Sequence, residues 1–167
     1  MRVFVPVTLA MLQQFVADAS LRPVNGTAFA VTPTLREAYS HGDDDELADV
    51  ALRDAALASL RLLADGATGE LPPRRAVLEA DADDAEVTLR PDLDDAVVRV
   101  AGAIPLDRVI AAYVDNAGAE PAVEAAIEVI DAADLGDEDA ELTVGDAQDH
   151  DLAWYAPQEL QFLLELL

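Results

Sequence analysis

The sequence predicts an α+β domain: a single central mixed sheet of about six strands with about five helices packed on it. Three observations predict it. Short Val-rich runs of strand length alternate with longer Ala- and Leu-rich runs at helical spacing. The two kinds of segment come in mixed order, not in separate blocks. At Val7-Thr8, Val31-Thr32-Pro33 and Ala156-Pro157 a strand pattern runs directly into a helix start. With 167 residues we expect one domain over 1–167. A chain of this size buries roughly 70% of the surface it exposes when unfolded, enough for a true core.

Taken in order, Arg2 to Val7 reads as the first strand. Thr8 caps a helix over 9–19, whose Leu9, Leu12, Val16 and Ala19 share one face. Residues 23–26 form a turn, and 27–31 a second strand. Thr32 followed by Pro33 starts a short helix that carries Leu35, Arg36 and Tyr39. Asp43 to Asp45 precede the longest helix, 44–64, where the dipole favours acids. Residues 66–73, with two Gly and two Pro, are the best linker candidate. Strands follow at 76–80, 86–90 (an edge), 96–101 and 109–114. A helix spans 120–133, with Glu120, Glu124 and Glu128 as an outward acidic stripe and no cation to balance it. We read 136–148 as an acidic loop with a short element at 142–144. Leu152 to Tyr155 is the last strand, and Pro157 opens a final helix. Trp154 and Tyr155 then point to opposite faces, and we assign Trp154 to the core.

Composition excludes many functions. The chain has 34 acidic and 10 basic residues, all Arg, for a net charge of −24. That surface repels nucleic acid and anionic membranes. An Ala-, Asp- and Arg-rich, Lys-free composition favours a GC-rich genome as the origin of the charge over high-salt adaptation or nucleic-acid mimicry. With no Cys, thiolate catalysis, disulfides and Cys-ligated metals are absent. No apolar run reaches about 18 residues, and Arg2 alone precedes an apolar start broken by Pro6, Gln13 and Asp18. We expect a cytoplasmic protein.

The chemistry-bearing motifs are few. There is no P-loop, dinucleotide fingerprint, nucleophile elbow or zinc-protease helix. Asp81 to Glu86 resembles the front of an EF-hand loop, but the Gly at position six and the Glu at twelve are missing; a solvated acidic turn is expected. We expect no catalytic residue, metal or cofactor. His150, between Asp149 and Asp151, is the one side chain suited to acid–base work or ligand contact. If the three strands that feed helices are parallel, their helix starts gather at one sheet edge. Thr32, Arg36, Tyr39, His150 and Gln158 would then surround a ligand crevice.

These same segments carry a resemblance. Residues 1–9 (Met-Arg-Val-Phe-Val-Pro-Val-Thr-Leu), 31–39 (Val-Thr-Pro-Thr-Leu-Arg-Glu-Ala-Tyr) and 149–159 (Asp-His-Asp-Leu-Ala-Trp-Tyr-Ala-Pro-Gln-Glu) resemble an uncharacterised family of small actinobacterial proteins of unknown function. The family pattern has an aromatic where Ala38 stands and commonly Thr where Pro157 stands. It implies no activity, cofactor or catalytic residue.

Three functions remain. The first is a soluble, non-enzymatic partner-binding or regulatory accessory protein. It would act through Phe162, Leu163 and Leu166 of the last helix, with a homodimer as the simplest form. The second is a small enzyme or ligand-binding domain at the crevice. The third is an acidic nucleic-acid mimic.

Overall fold

The computed structural model describes residues 1–66 and 70–167. It is an α+β fold built on a seven-stranded sheet, one strand more than expected, with a small two-stranded sheet beside it. The strands are β1 (Arg2–Val7), β2 (Ser20–Leu21), β3 (Thr27–Phe29), β4 (Ala76–Asp81), β5 (Val87–Leu89), β6 (Val97–Val100), β7 (Ile104–Pro105), β8 (Val109–Val114) and β9 (Ala153–Tyr155). The helices are α1 (Leu9–Asp18), α2 (Pro33–Ala38), α3 (Asp44–Asp65), α4 (Glu120–Asp134), α5 (Glu138–Gln148) and α6 (Leu160–Glu165). Within the expected linker at 66–73, Gly66 closes α3, and residues 67–69 lie outside the described residues.

The main sheet has the order β5-β6-β3-β1-β4-β8-β9. Its strand pairs are antiparallel throughout, where the sequence led us to expect mixed directions. β1, β6 and β8 therefore run one way, and β3, β4, β5 and β9 the other. Beside Glu79 and Ala80 the β8 register shifts, leaving Ile110 as the extra residue of a bulge. β2 and β7 pair outside the main sheet.

Strand alternation divides the core into two faces. Val3, Val5, Val7, Leu78, Val98 and Val114 face α1 and α6, which contribute Leu9, Leu12, Phe15, Leu160 and Leu163. Burying a side chain such as Phe15 contributes about 2–3 kcal/mol. On the second face Phe4, Phe29, Val77 and Val97 meet Leu35 of α2 and Leu47, Ala51 and Ala55 of α3. The far end of α3 turns Leu60 and Leu63 toward Val123, Ala126 and Ile130 of α4 and Ala147 of α5. α3 is apolar nearly all round because it packs on a sheet and on a helix pair.

Several expectations change. Residues 138–148 are a helix, not a loop; the Asp137 side chain accepts from Ala140 N at 2.9 Å, and acids fill its first turn. The stripe on α4 is partly balanced, because Arg74 Nη2 pairs with Glu120 at 3.0 Å. Trp154 is not in the core: it is 58% exposed, while Tyr155 packs against the first face. The last helix begins as a 3-10 turn, Pro157–Glu159, before α6.

Candidate functional site: a groove between α3 and the open sheet edge

α3 lies over β1, β3 and β4. The sheet continues past it to β8 and β9, whose second face no helix covers fully. Tyr113 and Trp154 are paired across these two strands on that face, and β9 is the sheet edge. Between α3 and this open face lie two adjoining cavities of about 310 Å³ each, which share Asp49 and Leu52.

The inner cavity is built on Arg75, which is 1% exposed. Its Nε and Nη2 donate to Asp115 Oδ2 and Oδ1 at 2.9 and 2.8 Å, a fork-to-fork ion pair. The Arg75 backbone N–H donates to the same carboxylate at 2.8 Å. Nη1 donates to Gln148 Oε1, and Nη2 also donates to the His150 carbonyl, both at 2.8 Å. Gln148 in turn donates to the Arg53 carbonyl of α3 at 3.1 Å. Three chain segments are thus tied at one guanidinium, and Gln148 links them to a fourth, α3. Such a pair is tolerated in the interior because every charge is hydrogen-bonded.

The outer cavity is built on Glu79, of which 8% is exposed. The Tyr113 hydroxyl donates to its Oε1 at 2.8 Å, and Arg2 Nε pairs with its Oε2 at 3.0 Å. Burial first, and then the hydrogen bond to Glu79, push the Tyr113 phenol well above its ordinary pKa. Tyr113 therefore stays a protonated donor and is no candidate base. Asp45 and Asp49 stand on the α3 rim, with Asp151 and His150 on the β9 side. No nucleophile and base are paired here. Among the described residues no three His, Asp or Glu side chains are grouped to hold a metal ion.

The crevice at the three helix starts is not formed as one site, because the strands that feed them are not parallel. Thr8 follows β1 at one end of the sheet, whereas Thr32 and Pro157 follow strands running the other way, at the opposite end. Thr32, 2% exposed, accepts from Leu35 N at 3.0 Å and donates to the Asp95 carbonyl, so it is a cap. Arg36 is exposed and pairs with Asp44 at 2.6 Å. Tyr39 is exposed at the end of α2. Gln158 is exposed in the turn after β9. β3 and β9 are four strand spacings apart, about 19 Å, too far for one small ligand to touch Thr32 and Gln158. His150 alone of the five lines the groove. On α6, Leu163 is buried, while Phe162 and Leu166 are 66% and 85% exposed. Asp81 and Asp84 hold the Met1 amine at 3.4 and 2.7 Å, so the EF-hand-like segment serves the end of β1.

The sequence reading missed Arg75, Asp115, Gln148, Glu79 and Tyr113. One signal was available. Arg75 directly precedes a strand and Asp115 directly follows one, and opposite charges at such positions meet when the two strands pair antiparallel.

No helix among the described residues is long and apolar enough to cross a membrane. The model of a family of unknown function (DUF6912) matches residues 1–164. Neither a curated protein nor a solved structure matches the chain.

Proposed function

The chain belongs to DUF6912, a family of unknown function, and we propose that it is a non-enzymatic accessory protein that binds a protein partner through the outward face of α6. One observation carries the reading. Phe162 and Leu166, one helical turn apart, stand 66% and 85% exposed, while Leu160 and Leu163 on the other side anchor the helix in the core. A paired apolar patch on a firmly seated helix is an interface feature. A homodimer is the simplest form. Two chains of −24 repel each other, so self-association should strengthen with salt. The reading takes the protein to act in the cytoplasm, which fractionation of the source cells would test.

Sedimentation equilibrium at low and high salt tests the dimer. The wild type should dimerise, more tightly at high salt, and Phe162→Glu should remain monomeric with an unchanged circular dichroism spectrum. A wild type that stays monomeric at every salt and protein concentration would sink the homodimer.

A further inference from the structure

The geometry points to a second docking surface: the groove between α3 and the open face of β8–β9 receives a basic, arginine-bearing segment of a partner protein. This inference is independent of the α6 reading, since α6 covers the opposite face of the sheet. Tyr113 and Trp154 are cross-strand partners on one sheet face, and they make a platform of one half-buried ring beside the second-face core and one exposed ring at the edge. Trp154 is 58% exposed, with no element over it among the described residues. Tyr113 lines the outer of the two adjoining cavities of about 310 Å³ each, and Trp154 stands beside it on the edge strand, outside both; the two cavities give room for successive side chains of an extended segment.

Charge selects the occupant. Asp45 and Asp49, one turn apart on the α3 rim, and Asp151 on the opposite rim are exposed and form no ion pair among the described residues. Of the cations lining the two cavities, Arg2 is paired with Glu79 and Arg75 with Asp115; Arg53 forms no ion pair among the described residues, and the three rim carboxylates outnumber it. An arginine-bearing segment laid along the groove places one guanidinium on Trp154 at the edge strand and others at the carboxylates of the two rims. An anionic segment meets the same carboxylates and a −24 surface. Arginine should bind better than lysine, because the planar guanidinium stacks and also forks to a carboxylate.

Trp154 is the only Trp, so its fluorescence reports the platform directly. The test titrates the protein at moderate salt with nona-arginine and nona-lysine peptides, following Trp154 emission and, by calorimetry, affinity. Nona-arginine should shift the emission and bind at least threefold tighter than nona-lysine. Trp154→Ala should weaken its binding tenfold or more, and Asp45→Asn/Asp49→Asn about fivefold. Glu124→Gln/Glu128→Gln changes the charge equally on α4 and should stay within twofold. Phe162→Glu should bind as the wild type does, which separates this site from the α6 surface. Unchanged Trp154 emission, or equal weakening by the α3 and α4 pairs, would overturn the proposal and leave only attraction between a polyanion and a polycation.

Discussion

At the scale of single residues, two buried polar groups and one strained carboxylate set the expectations. Ser59 is fully buried; its hydroxyl donates to the Val7 carbonyl at 2.7 Å and accepts from Ala76 N at 3.0 Å, joining α3 to the ends of β1 and β4. Ser59→Ala should cost about 1–3 kcal/mol in urea unfolding, because it strands both groups. Removing one partner of the Arg75–Asp115 pair, as in Asp115→Asn, should cost about 3–5 kcal/mol in the same measurement. Asp54 is half-buried on α3. Burial, then Asp94 and Asp95, raise its pKa from 3.8 to about 6. Its folded pKa lies above its unfolded one, so the native state favours the protonated form. The contribution is full below 3.8 and is lost as pH rises through about 6. Asp54→Asn should therefore be more stable than the wild type at pH 8. We expect about 1–2 kcal/mol after screening by water, with the gap closing as pH falls toward 4. A gap that does not change with pH would show that Asp54 does not titrate differently on folding.

At the scale of elements, helix starts dominate. Thr8, Thr32, Asp43 and Asp137 each cap a helix with a side-chain oxygen. Asp43→Ala removes a single bond, 2.8 Å to Glu46 N, and should cost about 1 kcal/mol. Thr32→Ala should cost more, because Thr32 also donates to Asp95 and so fastens the β5–β6 loop to α2. These starts were legible because caps are local: α1, α2 and α3 begin where Thr8, Thr32 and Asp43 direct. β1 was legible from an apolar run buried on both faces, and β8 from an apolar run that is mostly buried. α5 was not. Its Leu142 is 69% exposed and its buried residues are two alanines, so it carries almost no apolar period. Its Asp137 cap and first-turn acids were readable, yet they look the same as an acidic loop. The site was less legible than the fold. Trp154 looked like core because large apolar residues usually are; only the strand order shows that β9 is an edge beyond the reach of α3. Arg75, Asp115 and Gln148 are far apart in the chain; the strand-flanking positions of Arg75 and Asp115 bring them together only once β4 and β8 are known to be neighbours, and nothing in the sequence adds Gln148.

At the scale of the whole molecule, charge is the governing term. Arg2, Arg36, Arg61, Arg74, Arg75, Arg90 and Arg108 are already paired with carboxylates. Most of the 34 acids are thus left without a cation and repel one another through solvent. Added salt screens that repulsion. Thermal unfolding in rising sodium chloride should show the midpoint climbing by roughly 2–8 °C, for a gain of about 1–2 kcal/mol. A midpoint that falls with salt would mean that the ion pairs outweigh the repulsion. The Arg75 clasp has a kinetic consequence of its own. β9 has three residues and one neighbour, and it is approached through His150, whose carbonyl Arg75 holds. The residence time of that strand, and hence of the wall bearing Trp154, therefore depends on a guanidinium that stands just before β4, 75 residues from His150 in sequence. Gln148→Ala spares the ion pair but cuts the tie from the clasp to α3. We expect the β9 amides to exchange with deuterium roughly tenfold faster in that variant, for a local loss of about 1.4 kcal/mol, while the β1 and β4 amides keep their rates. The groove would then be a wall that opens on its own clock, apart from the unfolding of the domain.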